Sequence, residues 1–445
     1  MRCKKRTDLI LCHSAECGDR KSSWVLLFFL ATLAFNYVAG TTRAYLAEDD
    51  FGWLLGGLVF DWHRVFDIGS RSHFYRPVTE LWFAGAVHAC GASSACYHTL
   101  SLVVHAFNVC LVFVLALSLS HRTGFAALAA TLFLIQPAYS QAVVWVSGVG
   151  GLLATMFYLS SLVFQTLVWH DRGSRPLMQV VAVVSGGLAM FAHESAATLP
   201  VISYVMLRLF APTETRRNFM MAGFVAVLCL FGYTTILANR QNYVFTQGHY
   251  ALGTHMIKHA LDYLASLIVI AHTWPAYLVI SAGLVGLLSY HQLTRFGSLW
   301  MLLTLAPFVA FTWGNVSRYA YLPAIGFSLA MSATLLMLAG RYASVATGSV
   351  RRIVAGAISV FVILRFGVFS VHAIHANAIW LESSRKYLNG ILSAHPTLAD
   401  HVLHVAAPRD PVIDPSSIEP MLQWAFVRPD LKVVVDGSDP SGRVK

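Results

Sequence analysis

The stretch Trp24–Leu55, WVLLFFLATLAFNYVAGTTRAYLAEDDFGWLL, decides how the chain is read. Its first part, Trp24 to Gly40, is an apolar run. A few residues later Glu48, Asp49 and Asp50 stand side by side. About 20 apolar residues span the hydrocarbon core of a bilayer. No water is present there to satisfy exposed backbone, so such a run is expected to be a helix. The triplet then lies just beyond a membrane helix. A solvated loop would tolerate three carboxylates there, whereas a catalytic site at a membrane surface would require them.

The rest of the chain repeats the pattern. Of its 445 residues, 57% are hydrophobic and only 12% are charged, where soluble chains carry about a quarter charged residues. Apolar runs predict helices at 24–40, 97–119, 124–137, 143–169, 177–193, 196–210, 218–238, 275–290, 298–313, 319–340 and 353–372. Too little charge is left to solvate a soluble helical protein of this size. The formal net charge of +10 does not gather in one patch, which argues against nucleic-acid binding. The basic residues instead punctuate the ends of the runs, where they set orientation in the membrane.

With the basic N-terminus (Arg2, Lys4, Lys5, Arg6, Arg20, Lys21) in the cytoplasm, the inner connections are SHRTG, HDRGSRP, APTETRRN, HQLTRFG and GRYASVATGSVRR. Each contains Arg. Among the short outer connections QPAYSQ, HES and WGNVSRYAYLP, only Arg318 is basic. This gives about eleven crossings with the C-terminus outside. Two apolar pieces, 78–90 and 259–272, would invert the loops if they crossed, so they are expected to be interfacial or partly inserted on the outer side. Three regions result: a cytoplasmic tail at 1–23, a transmembrane domain at 24–375 with its first outer loop at 41–97, and a small outer segment at 376–445. In that last segment HVLHVAAP, PSSIEPMLQWAFV and LKVVVDG suggest strand, helix and strand.

The chain has seven cysteines. Cys3, Cys12 and Cys17 lie in the tail, with no zinc-type spacing. Cys110 and Cys229 lie within apolar runs and suit packing. Cys90 and Cys96, in HACGASSACYH, are close enough to close a disulfide if that loop faces an oxidising space.

Ionisable residues at the membrane edge are functional candidates, and here they fall on the outer side. Asp49 and Asp50 lie in the first outer loop. His73, Tyr75 and Arg76 lie in RSHFYRP. His193 and Glu194 lie in FAHES. Arg318 and Tyr321 lie in SRYAYLP. Acids and arginines around one membrane face suit a substrate with a proton to remove and a phosphate to hold, since the planar guanidinium bonds two oxygens at once. Each residue also has a plain structural alternative. The aspartates can be a solvated loop start, Glu194 can favour a helix N-terminus, and the arginines can anchor headgroups.

On these residues the chain resembles the GT-C superfamily of membrane glycosyltransferases, and within it the transmembrane-and-tetratricopeptide-repeat O-mannosyltransferases and their bacterial relatives. The matching pieces are EDDFGWL, SHFYRPVTELWF, YHTLSLVVHAFN, AALAATLFLIQPAYSQAVVWVSGVGGLLA, FAHESAATLPV and SRYAYLPAIGF, in the family's order over about residues 45–330. The resemblance implies an all-α polytopic membrane fold. It also implies inverting transfer of a sugar, mannose being one option, from a polyprenyl-phosphate donor to a hydroxyl on a protein, lipid or polysaccharide acceptor. Asp49 is then the first candidate base and Asp50 the second. Arg76 and Arg318 are placed to hold the carrier phosphate, and Glu194 matches the acid of a Lys-Glu pair. Tyr75, His73, His193 and Tyr321 are further substrate-side candidates.

The chain departs from the family's pattern at His193, where the family has Lys, at Gln136, at Gln141 and at Val149–Gly151. No tetratricopeptide repeats follow, which favours a bacterial inner membrane with the site facing outward. A carboxylate pair of this kind can also bind a divalent cation through oxygen. Two other functions stay open: an inactive relative that serves as a membrane scaffold, and a lipid or sugar transporter. Transport predicts midplane ionisable groups and internal repeats. Glu48→Gln is expected to be nearly silent.

Overall fold

The structure is a computed structural model that describes residues 23–69, 74–169, 175–211, 217–341, 348–398, 401–408, 410 and 413–436. The first helix, α1 (Ser23–Ala39), stops at Gly40. Gly40 takes φ +92, a left-handed conformation that costs glycine nothing. The acidic triplet opens α2 (Asp49–Leu58), and α3 (Trp62–Phe66) follows it. Next comes α4 (Pro77–Cys90), which has proline in its first turn, where the missing N–H is no loss. It is joined to α5 (Ser94–Ser120) by three residues, 91–93, and the Cys90–Cys96 disulfide closes the turn. The bridge expected from the loop is therefore formed, and Tyr97 Oη donates to the Gly91 carbonyl across the same turn at 2.6 Å.

The chain continues through α6 (Thr123–Leu134), α7 (Ser140–Val144) and α8 (Val149–Trp169). The pair α6–α7 bends by 44° around Gln136 and Pro137, because proline cannot continue a helix. Then come α9 (Arg175–Ala192), α10 (Leu199–Phe210), α11 (Arg217–Ala238), α12 (Tyr243–Thr246), α13 (His255–Ile268) and α14 (Trp274–Tyr290). Last in the bundle are α15 (Gln292–Val309), α16 (Tyr321–Arg341) and α17 (Gly348–Ala394). Helices α15 and α16 cross at Gly297 and Gly326, where a Cβ on either would meet the other's carbonyl oxygen at 2.5 Å. Only glycine permits that approach, the device by which membrane helices gain packing where no hydrophobic drive exists.

Every one of the eleven expected crossings corresponds to a helix. Among the described residues five helices are long and apolar enough to cross a membrane, or six if the bent pair counts as one. Three more, Ser23–Ala39, Pro176–Ala192 and Trp274–Tyr290, are apolar but shorter. Helix α4 and helix α13 are 14 residues each, too short to span. The C-terminal carbonyls of α13 are met from inside the bundle: Gln136 Nε2 donates to the Leu267 oxygen at 3.0 Å, and Arg365 bonds the Val269 oxygen. Side chains of the bundle thus satisfy carbonyls at the end of α13 that the helix itself leaves open.

One expectation needs correction. The last apolar run was read as ending near residue 372, but α17 continues without a break to Ala394. It has 47 residues, so at 1.5 Å per residue it is roughly 70 Å long. The segment beyond it is the expected strand–helix–strand: β1 (Val402–Ala406), α18 (Ile418–Ala425) and β2 (Lys432–Asp436). The strands pair in parallel, Val402 opposite Lys432. Helix α18 packs on α2, with Phe51 and Trp424 rings 5.9 Å apart.

Candidate active site

A cavity of about 1130 Å³ opens between α2, the start of α4, the ends of α9 and α15, the turn before α16, and the loop before α18. Asp49, Arg76, His193, Arg318 and Tyr321 all line it. Residues spread over more than 270 positions thus converge, and the Tyr243 phenol on its rim feels Asp49, Tyr319, Arg318 and Arg76 together.

The acidic triplet divides into three environments. Asp49 is exposed to the cavity from the first turn of α2, where the helix N-terminus favours a carboxylate. Asp50 is fully buried beneath it. One of its oxygens accepts from the Ala47 N–H at 3.0 Å, and the other from the Ser147 N–H at 2.6 Å and the Ser147 hydroxyl at 2.5 Å. Burial pushes its carboxyl up to about 7 against the pull of those donors. Asp50 therefore ties α2 to the Trp145–Gly148 turn and does not face the cavity. Glu48 does face it. It is the N-cap residue of α2 at φ 48, a conformation that a non-glycine residue adopts at a cost of about 1–3 kcal/mol. Burial, then Asp49 and Asp414, push its carboxyl up to about 7.

The two arginines differ as well. The Arg76 fork is bidentate to Glu194, Nε–Oε2 2.8 Å and Nη2–Oε1 2.5 Å, and its guanidinium lies 4.8 Å over the Phe74 ring. Burial opposes ionisation of Glu194, but Arg76 outweighs it and holds the carboxyl down at about 2. Arg318 has no carboxylate at ion-pair distance among the described residues. Its guanidinium lies 4.8 Å from the Trp145 ring and 4.9 Å from that of Tyr319, with one long bond, 3.5 Å, to the Tyr319 hydroxyl. Its turn is fastened from behind, because Ser317 Oγ donates to the Ala138 carbonyl at 2.7 Å. Tyr319 in turn stacks on Phe308 at 4.4 Å. Among the described residues Arg318 thus lines the cavity with a single long hydrogen bond to its guanidinium.

The remaining candidates are placed as follows. Burial, reinforced by Arg76, holds His193 down at about 3, so the ring is neutral. Its Nδ1 accepts from the Ser195 N–H at 3.2 Å, which leaves the proton on Nε2. Tyr321 offers its ring to the cavity while its hydroxyl turns inward to His105 at 2.7 Å and Asn108 at 3.0 Å. Tyr75 is away from the cavity, buried with its hydroxyl donating to the Val65 carbonyl at 3.0 Å. His73 lies outside the described residues.

The cavity is also lined by Glu48, Trp145, Ser147, Tyr319 and Asp414, none of which the sequence offered as a site residue. Substitution of the first by glutamine was expected to be nearly silent. Asp414 carried no signal, being brought in only because α18 docks on α2. Among the described residues no group of three or more His, Cys, Asp or Glu side chains is placed to hold a metal ion. With the oxygens of Asp50 occupied, the aspartate pair does not fit a resident divalent cation.

Comparison with known proteins gives the following. No family model matches the chain, and no curated protein matches it. It is similar to two solved structures of ArnT from Cupriavidus metallidurans. One is bound to undecaprenyl phosphate, with a TM-score of 0.49 and 14% identity. The other is in the apo state, with a TM-score of 0.49 and 13% identity. Each alignment covers 93% of this chain and 89% of the other.

Proposed function

We propose that the protein is a GT-C-type membrane glycosyltransferase that moves a sugar from a polyprenyl-phosphate donor to a hydroxyl acceptor. The observation that carries this reading is one cavity that holds an exposed carboxylate, Asp49, and an unpaired cation, Arg318, beside apolar spans where a lipid carrier would lie. The order of motifs in the sequence supports it too.

In this mechanism the acceptor oxygen attacks the anomeric carbon from the side opposite the phosphate. Asp49 takes the hydroxyl proton as the new C–O bond forms. The bond from the sugar to the phosphate oxygen breaks, and its electron pair stays on the lipid phosphate. Arg318 neutralises that developing charge. One displacement inverts the anomeric centre, and Asp49 then returns its proton to water. Asp50 orients the base through the Ser147 turn rather than touching the acceptor. Mannose as the sugar, a bacterial inner membrane as the location, an outward-facing cavity and a small outer region beginning near residue 376 belong to the same reading.

Sugar transfer by purified variants tests it. Asp49→Asn keeps size and hydrogen bonding but cannot take the proton, so the rate falls about 100-fold to 10,000-fold with donor binding intact. Full activity in Asp49→Asn would remove the reading.

A further inference from the structure

Glu48→Gln was expected to be nearly silent, and three features of Glu48 bear on that expectation. The side chain lines the cavity rather than bulk solvent. Its backbone sits at φ 48, ψ −120 to hold it there. Its surroundings also conflict. Asp49 on its own helix and Asp414 from the loop before α18 oppose its negative charge, while Arg318, from the turn before α16, favours it. On the α4 side the cavity presents Arg76, already committed to Glu194, and Glu80. Asp50 turns away to Ser147. Among the described residues an ionised Glu48 therefore has one favourable partner, Arg318, which acts across the cavity rather than at ion-pair distance and is also the cation a donor phosphate needs.

We propose that Glu48 is a gatekeeping residue for the donor: when protonated it leaves Arg318 free for a phosphate, and when ionised it competes with that phosphate for the same guanidinium. The proposal rests on the donor reading given above. By linkage, a bound phosphate raises the proton affinity of Glu48, so donor binding takes up a proton. The sign follows from the direction of the shift. Burial and two carboxylates raise the acid to about 7, so the competent form dominates below that pH and is lost above it.

The test uses the full chain in detergent and farnesyl methyl phosphate, a phosphodiester that does not itself titrate between pH 6 and 8. Its Kd is measured by calorimetry across that range. If only the protonated form binds, the wild type binds about tenfold more weakly at pH 8 than at pH 6. Glu48→Gln, uncharged at every pH, binds tightly and with a flat profile. Asp414→Asn removes one of the opposing charges, so its affinity falls at a lower pH than in the wild type. A flat wild-type profile, or a Glu48→Gln profile that still falls, overturns this proposal alone. Absence of binding by the wild type at every pH removes the donor reading and this proposal with it.

Discussion

Arg76 and Arg318 line one cavity, and their surroundings are opposite. Arg76 is locked to a carboxylate that comes from 118 positions away. Arg318 is held between two aromatic rings that fix its position without neutralising it. What would make a cation a ligand site is the charge left over after the protein's own partners are counted. A guanidinium stacked on rings retains its in-plane donors for an oxyanion, whereas a bidentate carboxylate consumes two of them.

The largest effect that can break this comparison is on stability. Arg76→Ala strands Glu194 in a mostly buried place, at a cost of about 3 kcal/mol. Thermal unfolding in detergent should show it, and the double variant Arg76→Met/Glu194→Leu should recover most of the loss. Unchanged stability with lost donor affinity would mean that Arg76, too, serves the ligand. Next comes Arg318→Ala, with stability near normal and lipid-phosphate affinity down about 10-fold to 100-fold, the worth of about 1.5–3 kcal/mol of charge-assisted bonding. Arg318→Lys keeps the charge but not the planar fork, and should fall between the two. Arg341→Ala, at the far end of α16, should leave donor affinity unchanged.

Acid sharpens the contrast further. Glu194 is depressed from 4.5 to about 2, so its contribution to stability is complete above pH 4.5 and is lost as pH falls through 2. The contribution of Glu194 to the melting temperature should therefore hold from pH 7 to pH 5 and drop below that, against the opposite trend of Asp50 and Glu48, whose raised carboxyls favour the fold as pH falls through 7. In Arg76→Ala this acid-side drop should be largely absent.

Much of the fold was legible in the sequence. Apolar runs of membrane length fix helices whatever their neighbours, so all eleven expected positions hold one. The β–α–β pattern after residue 400 was also readable, because alternation and turn residues are local signals. The length of α17 was not. Its second half, HAIHANAIWLESSRKYLNGILSA, is too polar for a span and reads as a tail until its partners are known. Those partners are tertiary: Trp380 meets Trp145 at 5.8 Å, and Asn377 donates to Ser140 at 3.0 Å. At the site, five of the nine candidate residues line the cavity, and the sequence put Asp49 ahead of Asp50 as the base without showing what separates them. The difference between them is made by Ser147, on a distant turn that no local pattern connects to the triplet. Nor does any local pattern connect Glu48 to Asp414 and Arg318, which reach it only through the fold.

The 47-residue helix has a geometric consequence. It is about twice as long as the hydrocarbon core is thick, and one continuous rod joins its lipid-facing half to the half that packs on Trp145. Each residue of such a rod advances 1.5 Å and turns about 100°. A single residue inserted between Gly356 and Phe369 would therefore rotate Trp380 and Leu381 off their seat and carry the β1–α18–β2 unit, with Asp414, away from α2. Four inserted residues would nearly restore the angle but raise the unit by about 6 Å. The phase of a lipid-exposed helix, more than the identity of any residue on it, thus sets whether the far wall of the cavity closes in register.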